Sequence, residues 1–134
     1  MIRGTTAQFK FSLPYDFSKL QAAKVVFWQP GNSGSEEHPL PIYKSLNQCY
    51  QTENPKELLV YLKQEETLRF SDKSKAYVQL SATTNEGSRF ASKQELITVY
   101  PIYDDSILGD DVIPTPGEGD EEGLIILNGG NISE

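Results

Sequence analysis

Apolar and polar residues alternate along several short segments of the chain. Residues 6–13, 57–62 and 75–83 show a period of two, which predicts β-strands with one face buried. The positions expected to face inward are Phe9, Phe11, Leu13, Leu58, Val60, Leu62, Ala76, Val78, Leu80 and Ala82, with Leu59 and Tyr61 expected on the outer face.

A different pattern occupies residues 23–29. Val25, Val26, Phe27 and Trp28 follow one another without a polar interruption. Such a dense run of β-branched and aromatic residues predicts a central strand that is covered on both faces.

Turn-forming residues separate these segments. Residues 30–41 and 84–87 are rich in Pro, Gly and Asn, which predicts turns. Further strands are predicted within residues 40–46 and 89–100. Residues 63–69 lack alternation and predict a single helical turn. About seven short strands at this spacing favour an all-β fold, an antiparallel β-sandwich with Greek-key connections. Its predicted core contains Val25, Phe27, Val60, Val78, Leu80 and Ile97.

Charge divides the chain into two parts. Residues 1–103 hold all 12 basic residues and carry a net charge of +2, whereas residues 104–134 carry −9 and complete the total of −7. We therefore expect a β-sandwich domain over residues 1–103 and an acidic, Gly/Pro-rich linker and C-terminal arm over residues 104–134. The acidic arm argues against a nucleic-acid partner, because it repels phosphates.

The arm ends in an apolar run. Because this run lies outside the predicted folded body, its side chains need a surface to bind. The run consists of Leu124, Ile125, Ile126 and Leu127. One interpretation is a last strand that folds back on the chain's own sheet. The other is an anchor that adds to a sheet edge of another subunit at the end of an extended spacer over residues 104–123.

The residues offer little catalytic chemistry. His38 is the only histidine and Cys49 the only cysteine, and the sequence suggests no second titratable partner for either. The carboxylates of residues 104–111 and 120–122 lack the alternating spacing of a calcium loop. We predict that the protein is not an enzyme and has no catalytic residues, cofactor or metal site. Among the functions that the sequence allows, a small hydrolase is the least favoured.

Aromatic residues are the stronger indication of binding. The seven tyrosines and Trp28 cannot all lie in the core of so short a chain, and Tyr and Trp are favoured in protein interfaces. Trp28 and Tyr103 are therefore predicted partner-binding residues, together with the four apolar residues of the arm. Aromatic cross-strand pairs on a sheet surface would explain them equally well.

One set of segments is similar to known proteins: residues 1–6, 9–14, the "VVFWQ" run at 25–29, 62–70, 78–80, 84–87, 91–92 and 111–113. In these segments the chain resembles a family of small proteins encoded in bacteriophage and prophage structural gene clusters. The similarity covers most of residues 1–113, and the loop at residues 30–41 is longer than in the family. The order of elements also resembles the immunoglobulin-like N-terminal domain of some phage baseplate proteins, which implies an immunoglobulin-like sandwich.

The resemblance implies a virion component that is made in the host bacterial cytoplasm. The leading hypothesis is a structural or accessory protein, present in multiple copies, that docks to other phage structural proteins during assembly. A carbohydrate- or receptor-binding module that uses exposed aromatics is the alternative. Neither hypothesis involves a membrane or nucleic acid.

Overall fold

Two β-sheets pack face to face in a computed structural model that describes residues 1–109, 111 and 124–128. The described residues form nine strands: β1 (Ala7–Ser12), β2 (Leu20–Trp28), β3 (Ile42–Ser45), β4 (Tyr50–Gln51), β5 (Glu57–Leu62), β6 (Ala76–Thr84), β7 (Arg89–Ala91), β8 (Glu95–Ile97) and β9 (Leu124–Asn128). One short helix, α1 (Gln64–Thr67), connects the sheets at the position of the predicted helical turn. The predicted all-β sandwich is thus confirmed.

The first sheet has the strand order β4-β5-β1-β9, and the second has β3-β2-β6-β7, with β8 also paired to β6. All of these pairs are antiparallel except β1 and β9, which run parallel. The chain crosses from the first sheet to the second between β1 and β2, and again through α1 between β5 and β6.

The core lies between the sheets and uses the inward positions that alternation predicts. Phe9 of β1 and Phe27 of β2 are fully buried, and their ring centroids are 4.9 Å apart across the sandwich. All six predicted core residues are buried. On β6 the burial alternates through Ala76, Val78, Leu80 and Ala82, as predicted.

Two strands differ from their predicted burial. β2 is central, but only one of its faces is fully covered: Val25 and Phe27 are buried, while Val26 and Trp28 remain partly exposed. Leu59 and Tyr61 of β5 lie on the face opposite Leu58, Val60 and Leu62, as the alternation predicted, but that face is buried too, with Leu59 4% and Tyr61 5% exposed. The predicted coverage of both faces of β2 was wrong, because a strand's pattern shows which residues share a face, not what covers it.

The apolar end of the arm belongs to the first sheet. Gln8 pairs with Leu124 and Ser12 with Asn128, so β9 covers the edge of β1. This is the fold-back arrangement, one of the two that the sequence left open. Docking of this run to another subunit stays a prediction. The predicted spacer lies partly outside the described residues, at residues 110 and 112–123, as does the carboxylate cluster at residues 120–122.

Candidate binding groove

A groove of about 590 Å³ lies on the outer face of the second sheet. Its walls come from β2, β3, β6 and the long loop that follows β2. The lining residues are Val26, Trp28, Gln29, Gly31, Asn32, Ser33, Leu40, Pro41, Tyr43 and Gln79. Its volume falls in the range of sites that hold a small ligand or a short peptide segment.

The strand register brings the groove's apolar residues together. Val26 of β2 pairs with Tyr43 of β3 on one side and with Gln79 of β6 on the other, so the three side chains share one face. Trp28 pairs with Tyr77, and their rings stack with centroids 5.5 Å apart and an interplanar angle of 17°. The groove therefore has a continuous floor of aromatic and aliphatic surface.

Tyr43 is the most accessible part of this floor, with 58% of the residue exposed. The ammonium of Lys24 lies 5.8 Å from the centre of its ring, within the range of a cation–π contact. In the part of the chain that the structure describes, neither the Tyr43 hydroxyl nor the Trp28 indole N–H has a hydrogen-bond partner. Both groups can therefore bond a ligand without breaking an existing contact.

Side-chain amides hold the loop wall in place. The side-chain amide of Gln29 donates to the carbonyls of Ser71 and Ser74, both at 2.8 Å, and its oxygen accepts the backbone N–H of Ser71. Asn32 donates to Gln29 at 2.7 Å and to the carbonyl of Arg69. These bonds fix the loop before any ligand arrives, which lowers the ordering cost of binding.

A glycine makes the turn of this loop possible. Gly34 has φ +72°, and a Cβ atom there would lie 2.3 Å from the carbonyl oxygen of His38. No side chain fits at that distance. Glycine at this position therefore allows the two arms of the loop to lie so close together.

Comparison with protein-family models, curated proteins and solved structures finds no match for this chain. The groove must therefore be interpreted from its own geometry.

The predicted partner-binding residues do not form one site. Trp28 lines the groove on the second sheet, whereas Leu124, Ile125, Ile126 and Leu127 lie on β9, at the edge of the first sheet. Tyr103 is fully exposed beyond β8 and does not line the groove. The structure thus separates the aromatic surface from the strand-edge surface.

His38 has a partner that the sequence did not suggest, which corrects the prediction of an unpartnered histidine. Its Nδ1 lies 2.9 Å from a carboxylate oxygen of Glu65, and Arg69 binds the same carboxylate through two nitrogens. The hydrogen bond from Arg69 lowers the pKa of Glu65. Arg69 also donates to the carbonyl of Pro39, so the cluster attaches the long loop to α1.

Cys49 is buried, and burial raises the pKa of its thiol to about 12, although Lys44 acts in the opposite direction. Such a thiol is almost entirely protonated near neutral pH and is a poor nucleophile. Within the described residues no three His, Cys, Asp or Glu side chains group as metal ligands. The helix that the described residues contain is too short to span a membrane.

The beginning of the arm is attached to the body. The side chain of Gln64 donates to the carbonyl of Leu108 at 3.0 Å and accepts the N–H of Leu108 at 2.8 Å. Asp111 accepts the hydroxyl of Thr6 and the backbone N–H of Gln64 on one oxygen. Burial favours a higher pKa for Asp111, but these hydrogen bonds and Lys63 outweigh it and lower the pKa.

Sequence reasoning missed most of the groove's lining. Tyr43 was recognised as one of many aromatics, but its place beside Val26 depends on a strand register that no local pattern encodes. Gln29 was placed at the end of the predicted strand over residues 23–29 and Asn32 in the loop that follows, and neither residue gave a sign that the two amides bond each other. The one available signal was the partly polar loop that follows directly after Trp28.

Proposed function

We propose that this protein is a non-enzymatic structural or accessory protein of a bacteriophage particle that docks to another virion protein through the groove. The observation that carries the proposal is the aromatic floor formed by Trp28 and Tyr43 beside a loop that is already held in place. The phage context rests on the resemblance of residues 1–113 to phage and prophage structural proteins, which also suggests multiple copies in each particle.

The chemistry of the groove suits a protein partner. Tyr and Trp supply large contact areas with few rotatable bonds, and they are enriched among residues that dominate binding energy. Lys24 places a positive charge next to Tyr43, so an acidic or carbonyl-rich segment of a partner would complement the site. The protonated Cys49 and the structural role of His38 give no support to a catalytic function.

The single tryptophan makes binding directly measurable. Titration of the protein with the solubilised structural proteins of the purified particle, separated into fractions, should shift the emission of Trp28 to shorter wavelength with the fraction that contains the partner. Tyr43→Ala removes an exposed ring and should weaken that binding at least tenfold, equivalent to about 1.4 kcal/mol or more. Leu96→Ala is the matched control, since Leu96 is equally exposed on the same sheet but does not line the groove.

Particles assembled with each variant provide the second readout. Mass spectrometry should find the wild-type chain and Leu96→Ala at equal copy number, and Tyr43→Ala strongly depleted. Equal incorporation of all three chains, or absence of the wild-type chain from purified particles, would contradict the proposal.

Carbohydrate binding is the second candidate, and the concave shape of the groove favours it. A sugar could stack on Tyr43 while its hydroxyls bond the tyrosine hydroxyl and the indole N–H of Trp28. Titration with bacterial cell-wall oligosaccharides, followed by the same fluorescence, separates the two candidates. Saturable binding that Tyr43→Ala abolishes would establish the sugar site in place of the protein-docking site.

A further inference from the structure

The edge of β1 is covered by β9 of the same chain. Among the strands that the structure describes, β9 lies at the end of its sheet and pairs only with β1, from Gln8 with Leu124 to Ser12 with Asn128. All of its sheet hydrogen bonds in the structure therefore go to one neighbour.

The chain approaches β9 from a fixed point near the beginning of β1. Asp111 is hydrogen-bonded to Thr6, only two residues before Gln8, the first partner of β9. Since a strand rises about 3.3 Å per residue, the chain between Asp111 and Leu124 has to span only about 10 Å.

The connection is much longer than this span. Residues 112–123 comprise twelve residues, and a segment of that length can reach about 40 Å. A connection of three or four residues would suffice for β9 to pair with its own β1. Length alone therefore permits β9 to reach the β1 edge of an adjacent molecule.

We propose that neighbouring copies of this chain exchange β9, so that the last strand of one copy completes the first sheet of the next. The occupant of the β1 edge is then a second copy, because every copy carries both the edge and the strand that matches it in register. The same ladder forms in both arrangements, so local concentration decides between them. Linkage within one chain gives an effective concentration in the millimolar range, which closely spaced copies in the proposed particle can match.

Disulfide trapping distinguishes the two arrangements. Lys10 and Ile126 are register partners on adjacent strands, within the Cα separation that a disulfide bridges. With Cys49 replaced by serine throughout, Lys10→Cys chains and Ile126→Cys chains are unfolded together, refolded at about 1 mM and oxidised. Exchange predicts a mixed disulfide that joins the two chains and increases with total concentration.

Two controls test the geometry. Lys10→Cys mixed with Leu124→Cys should link at least tenfold less, because Leu124 pairs with Gln8, two residues away. Deletion of residues 114–121 leaves four connecting residues, which reach about 14 Å and allow pairing only within one chain. The shortened Lys10→Cys and Ile126→Cys chains should have the same melting temperatures as the corresponding full-length chains. A mixture of the two shortened chains should no longer form the mixed disulfide.

The Lys10→Cys/Ile126→Cys double variant checks the pairing of β9 with β1, because it should form its disulfide within one chain at low concentration. Mixed disulfides no more abundant than in the Leu124→Cys control would overturn the proposal, as would their persistence in the shortened chains. These results are independent of the groove, so strand exchange and docking through Tyr43 can fail separately.

Discussion

Thr6 donates a hydrogen bond of 2.5 Å to Asp111, 105 positions further along the chain, and the same carboxylate oxygen accepts the backbone N–H of Gln64 at 2.9 Å. The contact joins the beginning of β1, the first turn of α1 and the segment that leads to β9. One side chain thus attaches this part of the arm to the body.

Replacement of Asp111 by asparagine should destabilise the protein in a pH-dependent way. The folded-state pKa of Asp111 is lowered, so the carboxylate stabilises the fold above its ordinary pKa of 3.8. This contribution disappears as the pH falls through the lower, folded-state pKa. Urea unfolding should show a loss of about 1 kcal/mol at pH 7 and a much smaller loss once the pH is below the lowered folded-state pKa. Asp105→Asn, at an exposed carboxylate, is the control, and a loss independent of pH would contradict the assignment.

The buried ion pair between Lys44 and Glu66 should be strongly coupled. Lys44 is only 7% exposed, and its ammonium lies 2.8 and 2.9 Å from the two carboxylate oxygens of Glu66. Lys44→Met or Glu66→Gln alone leaves one partner without its counter-charge and should cost about 3–5 kcal/mol. The double variant should lose clearly less free energy of unfolding than the sum of the losses of the two single variants. Additive losses in a double-mutant cycle would show that the pair contributes little.

Leu80→Ala tests the core. Leu80 is fully buried on β6, so truncation should reduce the free energy of unfolding by about 2–5 kcal/mol in chemical denaturation. Leu96→Ala, at an exposed position of the adjacent strand β8, should change it by less than about 0.5 kcal/mol. A small loss at Leu80 would mean that the sandwich is not packed as described.

Cys49 should be inert in the folded protein. With a pKa of about 12, roughly one thiol in ten thousand is ionised at pH 8, so labelling by a disulfide reagent should be about 1000-fold slower than for a free cysteine. Unfolding in urea should restore the ordinary rate. Cys49→Ser and His38→Ala should both leave the biological role intact, and rapid labelling of the native protein or loss of function in a folded variant would reopen an enzymatic role.

The strands could be predicted where one face is polar. The alternation in β1 and β6 predicted which residues are buried, because the pattern of each strand reports its own two faces. The local patterns did not predict that Leu59 and Tyr61 are buried or that Trp28 is partly exposed, because burial at these positions depends on segments distant in sequence. The pairing of Val26 with Tyr43, and hence the groove, depends on the same non-local information.

Composition described the arm but not its attachment. The excess of carboxylates after Tyr103 predicted an extended spacer, yet Leu108 and Asp111 bind Gln64 through specific hydrogen bonds. An aspartate in an acidic run gives no sign in the sequence that a threonine near the start of the chain will bind it.

The parallel pairing of β1 with β9 has a consequence for biosynthesis. β1 precedes β9 by more than a hundred residues, so β1 leaves the ribosome well before β9 and the first sheet stays incomplete until β9 has been translated. During that interval the nascent β1 edge is open to strands from chains on adjacent ribosomes of the same messenger RNA. Because of this order of synthesis, β1 can pair with a strand of another chain before β9 of its own chain is available.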